Sequence, residues 1–236
     1  YPKDPSLLDG VSMHLDIEAP LESQIQARTT SGGIRIDGIH GPVQAQTHSG
    51  GLEVQAVSND VRALTHSGAI LIQKVAGPVF AQNDSGGIRV VDSGGHVTSQ
   101  TSSGRIEISD TAGAIRATTH SGSNIIHDAS GSVFARNNSG SIEAEEIAGG
   151  IDAQTGSGAI RLSQTKPAPI RARADSGTIR VRLASGAGYA IVAHSDRGKI
   201  LIPEMKVQEK HQVDRRIGAG GPLVNLSTDS SHISIN

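Results

Sequence analysis

Residues 31–66 read SGGIRIDGIHGPVQAQTHSGGLEVQAVSNDVRALTH, two copies of an 18-residue unit that recurs along most of the chain. The Ser-Gly pairs that open successive units start at Ser31, Ser49, Ser67, Ser85, Ser103, Ser121, Ser139 and Ser157. A further pair starts at Ser176, after one inserted residue. Because a fixed period is typical of stacked repeats, it is a better guide to the fold than chain length.

The apolar residues of each unit fall into two short alternating runs. With Ser as position one, positions four and six hold mainly Ile and Val, while positions thirteen and fifteen hold mainly Val, Ile and Ala. Alternation at period two with β-branched residues indicates strands and excludes helix. The sequence therefore predicts an all-β fold, a single parallel β-solenoid with two strands per turn, about ten turns and a length on the order of 50 Å.

Polar and small residues of the repeat are assigned to its corners. Ser-Gly at positions one and two and Gly at position eleven are expected to adopt positive φ there, with Asn59 as a substitute. Position seventeen shares the parity of the inward residues, so its Thr side chains should form a buried hydrogen-bonded ladder. The predicted corner and ladder residues include Ser49, Gly50, Ser67, Gly68, Ser103, Gly104, Ser121, Gly122, Thr47, Thr65, Thr101 and Thr119.

The chain is predicted to be one domain, residues 1–236. Its expected parts are imperfect first turns or a cap at 1–30, regular turns at 31–202, a charged excursion or cap at 203–220, and a last turn at 221–236. In a repeat array each turn is covered only by its neighbours, so the ends need separate protection.

The amino-acid composition of the chain argues against several classes of function. The net charge is −2, which provides no general attraction for nucleic acid, and aromatic residues make up only 2% of the chain. There is no Cys, which removes disulfides and thiol catalysis, and no apolar run reaches the roughly 18 residues of a membrane span. A first residue that is Tyr rather than Met is consistent with a removed signal segment, so an extracellular or cell-envelope location is expected.

Thr-His-Ser-Gly recurs at residues 47–50, 65–68 and 119–122 and suggests a Ser-His nucleophile. The same Ser recurs in turns whose preceding residue is Asp, Asn or Gly, whereas a catalytic triad needs one activated Ser. We therefore predict corner residues and no enzyme activity. A polysaccharide-active β-helix enzyme is the minority alternative, because aromatic platforms and a convergent acid pair are not evident.

Metal sites are not expected either, and no cofactor is predicted. His48 and His66 should stack one turn apart, but two ligands make a weak site. Calcium-binding β-rolls place an Asp in every turn, and that Asp column is missing from this repeat. At outward position five, Arg and Glu recur with mixed signs, which predicts ion pairs between turns.

Two kinds of contact remain as functional candidates. Phe80 and Phe134 share outward position fourteen and, with His48 and His66, are possible contacts for extracellular surface ligands. The unpaired end strands are possible sites for end-to-end pairing with further copies of the chain, which would give a filament. The residues predicted to pair at the ends are Leu15, Ile17, Ile233 and Ile235.

The repeat T-x-S-G-x-I-x-V with its G-x-V-x-A half-turn, together with the closing GAGGPLVNLSTDSSHISIN, resembles a bacterial adhesin-like family of β-strand-repeat proteins of unknown function. This resemblance covers nearly the whole chain. It implies a β-solenoid on an exported or envelope-attached protein, and it brings no catalytic residues to carry over. The expected function is a structural or adhesin-like protein, with a monomeric binding module for glycan or matrix protein as the alternative to a filament.

Overall fold

The computed structural model describes residues 15–186, 188–202, 207–209 and 211–236, with only the backbone considered at 207–209. Residues 1–14 of the expected N-terminal cap, and residues 203–206 and 210 of the expected charged excursion, lie outside the described residues. The predicted all-β parallel solenoid is confirmed. Nine consecutive two-strand turns run from β1 to β18, close to the predicted number.

The strands form two sheets of 12 strands each. Sheet A contains, in spatial order, β1 (Ile25–Ser31), β3 (Val43–Ser49), β5 (Val61–Ser67), β7 (Val79–Ser85), β9 (Val97–Ser103), β11 (Ile115–Ser121), β13 (Val133–Ser139), β15 (Ile151–Ser157), β17 (Ile170–Ser176), β23 (Leu223–Thr228), β19 (Tyr189–Ser195) and β22 (Gln212–Ile217). Sheet B contains β2 (Ile34–Ile39), β4 (Leu52–Val57), β6 (Ile70–Val75), β8 (Ile88–Ser93), β10 (Ile106–Thr111), β12 (Asn124–Ala129), β14 (Ile142–Ile147), β16 (Ile160–Gln164), β18 (Ile179–Arg182), β24 (Ile233–Ile235), β20 (Ile200–Ile202) and β21 (Val207–Glu209).

The core is a thin apolar layer between the sheets. Equivalent residues of successive turns pair directly, so Val43 lies beside Val61 and Ile70 beside Ile88. The predicted inward columns are buried; for example, Val61 is 1% exposed and Ala63 is fully buried. Each inward side chain is therefore covered by the turns on either side, as expected for a repeat array.

A third inward column lies at position nine of sheet B and was missed by the sequence analysis. Val57, Val75 and Ile147 occupy it and are buried. The residue before each of them adopts positive φ, between 51° and 59° at Ala56, Lys74, Asp92, Asp110, Asp128 and Glu146. This left-handed residue interrupts the period-two alternation and turns the following side chain inward.

Glycine is required at the two corners of each turn for different reasons. At the Ser-Gly corner the predicted positive φ is confirmed; Gly122 has φ of 144°, and a Cβ there would lie 1.9 Å from the carbonyl oxygen of Gly104. The prediction of positive φ at position eleven is wrong. Gly113 has no such φ, but a Cβ there would lie 2.3 Å from the Gly95 oxygen, so close approach of stacked turns requires glycine.

The position-seventeen side chains are buried, as predicted, but most of them bond to the backbone rather than to one another, and the Thr119 hydroxyl has no partner among the described residues. The Thr47 hydroxyl donates to the carbonyl oxygen of Gly32 at 3.1 Å, and Thr155 donates to that of Gly140 at 3.1 Å. In each case the acceptor lies 15 residues earlier, at the Ser-Gly corner of the same turn. These bonds hold the end of one turn to its beginning and satisfy carbonyl groups at a buried corner.

The last turn in sequence is not the last turn in space, which corrects the predicted order. β23 lies between β17 and β19, and β24 lies between β18 and β20, all in parallel. Ile233 and Ile235 are buried in β24. Because both edges of this strand are occupied, the expectation that these two residues pair with another molecule is wrong.

The C-terminal end of the stack is covered by antiparallel strands. β22 pairs with β19, and β21 pairs with β20. The exposed residues of β22 include Asp214, Arg215 and Arg216, which are charged and so discourage further strand pairing. The described part of segment 203–220 thus supplies the terminal strand of each sheet.

The N-terminal end is open in the part of the chain that the structure describes. β1 and β2 each pair on one side only, with β3 and β4. Leu15 and Ile17 belong to no strand and are 72% and 76% exposed, so the expected imperfect turn begins at Ile25 rather than Leu15. Within the described residues, β1 and β2 therefore each have one unpaired backbone edge.

Candidate functional site

The outer face of sheet A carries two surface depressions. Positions fourteen, sixteen and eighteen point outward there because they alternate with the buried positions thirteen, fifteen and seventeen. The depressions measure about 410 Å³ and 460 Å³ and are shallow. We use the term sheet A face for the outward side chains of strands β1, β3, β5, β7, β9, β11, β13, β15 and β17.

The first depression lies over β1, β3, β5 and β7 and contains two predicted contact residues. The rings of His48 and His66 stack with centroids 4.8 Å apart and an angle of 3° between their planes. His66 Nδ1 lies 2.5 Å from a carboxylate oxygen of Asp84 in the next turn. Arg28 and Arg62 line the same depression. The expected stacking of the two histidines is confirmed, and the depression places two guanidinium groups beside them.

The ring of each phenylalanine is in contact with the guanidinium group of an arginine from the preceding turn. The Arg62 guanidinium lies 4.4 Å from the ring centroid of Phe80, and that of Arg116 lies 4.3 Å from the centroid of Phe134. Phe80 and Phe134 are half-buried. A cation over an aromatic face is attracted by the ring quadrupole, so each ring holds its arginine in a defined position. The two predicted contact residues thus act together with a basic neighbour that the sequence analysis did not identify.

The second depression lies near the C-terminal turns. Phe134, Asp152 and Arg171 line it together with Leu223 and Asn225 of the inserted turn. Leu223 is 48% exposed and gives the depression an apolar edge. This depression therefore exists only because the chain returns to insert β23 beside β17, an arrangement that the repeat alone does not predict.

The sheet A face carries more positive than negative groups. Its arginines are Arg28, Arg62, Arg116, Arg136, Arg171 and Arg173, and its acidic residues are Asp84, Asp152 and Asp175. Of the six arginines, only Arg173 forms an ion pair within the part of the chain that the structure describes, with Asp175 at 3.4 Å. The other five are exposed cations without a carboxylate partner among the described residues.

The outer side of sheet B uses its arginines differently. The predicted ion pairs between turns are confirmed at Arg35 with Glu53 (3.8 Å), Arg89 with Glu107 (3.6 Å) and Arg161 with Glu143 (3.4 Å). Such exposed pairs contribute little to stability, but they neutralise charge locally. The central part of sheet B therefore presents compensated charges. At its end, Arg180 and Arg182 of β18 are exposed and form no ion pair among the described residues.

Four carboxylates follow one another along the left-handed bend beside sheet B. Asp92, Asp110, Asp128 and Glu146 recur every 18 residues, and we call them the acidic ridge. Sequence analysis found no such column because the bend had not been recognised. Hydrogen bonding to Asp128 and repulsion from it raise the pKa of Glu146 above its ordinary value. Within the described residues, no three or more His, Cys, Asp or Glu side chains are grouped to hold a metal ion.

The Thr-His-Ser-Gly segments form corners. Ser49, Ser67 and Ser121 end their strands and are exposed. In the described residues no hydrogen bond joins these serines to His48, His66 or His120, and His120 instead lies 2.9 Å from the Asn138 amide. The geometry places the serines in a structural row.

Comparison with known proteins identifies one family. The family model described as Toastrack DUF4097 matches residues 95–236, more than half of the chain. No curated protein and no solved structure gives a significant match. Within the described residues, the structure contains no helix that could cross a membrane.

Proposed function

Since the chain belongs to the Toastrack DUF4097 family of β-solenoid repeat proteins, we propose that it is a non-enzymatic, adhesin-like structural protein outside the cell. In this role the coil is a rigid support, and the sheet A face makes the contacts. Support for a location in the cell envelope or outside it comes from the sequence resemblance. The family match itself supports only a structural repeat protein.

The observation that carries the proposal is the position of both depressions on one face. The depressions and both arginine–phenylalanine pairs all lie on the sheet A face. A flat, shallow surface suits an extended ligand that is held at several points better than a small molecule that must be enclosed. We therefore favour a binding module for an extended surface ligand, which the sequence analysis held as its alternative.

A long filament is less well supported than this binding role. Head-to-tail growth needs two edges that accept further strands. At the C-terminal end the edge strands β21 and β22 run antiparallel to the coil, and the exposed charged residues Asp214, Arg215 and Arg216 of β22 oppose pairing. The end strands β1, with seven residues, and β2, with six, lie about 10 Å apart and present an end on the order of 450 Å². Stable complexes bury about 800 Å² per partner. We expect at most weak pairing of two molecules through β1 and β2. Electron micrographs of concentrated protein should show no filaments.

The binding role is tested by exposing the protein to arrays of glycans and matrix proteins. We expect a ligand whose binding falls in Phe134→Ala, because that change removes the ring that holds Arg116. The matched control is Ile125→Ala, which removes an apolar side chain from the outer side of sheet B. If Phe134→Ala and Ile125→Ala weaken binding equally, the sheet A face is not the contact.

Location and the absence of catalysis need separate tests. Protease treatment of intact cells should remove the protein while an internal marker stays intact. Incubation with a panel of polysaccharides should release no new reducing ends. Turnover that disappears in a single carboxylate variant would show an enzyme and overturn the non-enzymatic assignment.

A further inference from the structure

The unpaired arginines of the sheet A face point to the chemistry of its ligand. We propose that this face binds an acidic polysaccharide, a chain of sugars that carry carboxylates, lying along the axis of the solenoid. This proposal rests on the proposed function and names the ligand class of the same surface. Two observations support this proposal: the arginines of the two sheets differ in their ion pairing, and the arginines of sheet A are regularly spaced.

Charge complementarity is the first step. Arg62, Arg116 and Arg171 are exposed and have no carboxylate partner among the described residues, although each has a neighbour in the next turn at the same position. On sheet B the neighbour in that position is a glutamate for Arg35 and Arg89. On sheet A the neighbours of Arg62 and Arg116 are phenylalanines. The guanidinium groups of Arg62 and Arg116 are thus fixed but not neutralised, which leaves them available to an external anion. Arg171 differs, because its neighbour in the preceding turn is Asp152.

The spacing of these arginines suits a linear polyanion. Arg62, Arg116 and Arg171 share position fourteen on β5, β11 and β17, and three strand steps separate each from the next. At roughly 4.8 Å per step this gives about 14 Å between successive cations along one straight line. A ligand with regularly repeated charges can therefore contact Arg62 and Arg116 without bending. It reaches Arg171 only past Asp152, which shares position fourteen on β15.

Neutral polar groups on the sheet A face favour a sugar chain over other polyanions. Glutamine amides offer both donors and acceptors, which match the hydroxyl groups of sugars. The glutamines of this face are Gln26, Gln44, Gln46, Gln82, Gln100 and Gln154. A nucleic acid would call for a denser basic surface, and the acidic ridge beside sheet B would repel it when it wrapped around the coil.

The test compares polygalacturonate, whose sugars carry free carboxylates, with the same polymer after full methyl esterification. Binding is measured by biolayer interferometry on the whole chain at two salt concentrations, with duplex DNA as a third probe. We expect binding to polygalacturonate that weakens as salt rises, and much weaker binding to the esterified polymer. Equal binding to both polymers would overturn the proposal, and so would tighter binding to DNA.

The variants place the contact on one sheet. Arg62→Gln/Arg116→Gln/Arg171→Gln should lose at least about tenfold in affinity. Arg35→Gln/Arg89→Gln/Arg161→Gln removes the same charge from sheet B and should stay within about twofold of the wild type. All six side chains are exposed, so circular dichroism should show both proteins folded. Similar losses of affinity in both variants would show that binding depends only on the net charge of the protein, and would overturn the assignment to sheet A.

Failure of the ligand class can be told apart from failure of the proposed function. If polygalacturonate does not bind, but a neutral glycan or matrix protein binds and is lost in the sheet A variant, the face keeps its role and the acidic polysaccharide is wrong. If nothing binds and protease treatment of intact cells leaves the protein untouched, the adhesin-like function itself is wrong.

Discussion

Sheets A and B are built by the same chain, turn by turn, with equivalent inward columns, yet their outward arginines have different surroundings. On sheet B three arginines pair with glutamates of adjacent turns. On sheet A two arginines stack on phenylalanines and remain without a carboxylate partner among the described residues. The repeat thus constrains the inward side chains, because each must fit those of the adjacent turns. The outward side chains are not constrained in this way, so the two outer surfaces can differ in charge and in apolar groups.

The largest expected effect comes from breaking the corner that both sheets share. Gly122→Ala should lower the free energy of unfolding by about 3 kcal/mol or more, because its Cβ would overlap the Gly104 backbone and φ is 144°. Chemical denaturation followed by circular dichroism measures this.

Gly38→Ala is the matched control for that change. Gly38 has φ of 71° with no atom within 4 Å of an added Cβ, and Ala already occupies the equivalent position at residue 56. We expect a change within about 1 kcal/mol. Equal costs for Gly122→Ala and Gly38→Ala would show that close stacking is not what requires glycine at the Ser-Gly corner.

A smaller effect is expected from the hydrogen bonds inside sheet A. Thr155→Val removes the bond to the Gly140 oxygen and should cost about 1 kcal/mol. Thr119 is buried at the equivalent position, but its hydroxyl has no hydrogen-bond partner among the described residues. Thr119→Val should therefore be neutral or stabilising. If both substitutions cost the same, the bond from position seventeen to the corner is not the source of the stability.

The contrast between the outer surfaces can be measured as two coupling energies. A double-mutant cycle on Arg116 and Phe134 should give about 0.5–1 kcal/mol that changes little with salt. A cycle on Arg161 and Glu143 should give about 0.2–1 kcal/mol that shrinks as salt rises. Coupling that responds equally to salt at both sites would remove the distinction between the sheets.

The smallest effect concerns the acidic ridge and pH. The pKa of Glu146 is raised in the folded protein, so the folded state binds more protons than the unfolded state just above the ordinary Glu pKa. Stability should therefore fall as pH rises through that range, and the fall should be smaller in Glu146→Gln. Denaturation midpoints measured across this pH range check the direction. An equal fall in stability in the wild type and in Glu146→Gln would show that repulsion within the acidic ridge does not cause it.

The sequence was enough to predict the fold and the inward columns because burial repeats every 18 residues. It could not predict the third column, since a left-handed residue such as Asp110 breaks the alternation without being glycine. The insertion of β23 between β17 and β19 also escaped prediction, because equivalent turns can stack in either order. For the site, Phe80 and Phe134 were identified by their shared position, whereas their arginine partners became evident only from contacts between turns.

The central claim is that the sheet A face, with its uncompensated arginines, is the surface that binds a ligand. It is tested most directly by recording the arginine Nε–H resonances of the labelled chain during titration with polygalacturonate. The account predicts that the signals of Arg62 and Arg116 shift while those of Arg35 and Arg89 stay in place. Shifts centred on Arg35 and Arg89, or no shift at Arg62 and Arg116 when the polymer is bound, would contradict it.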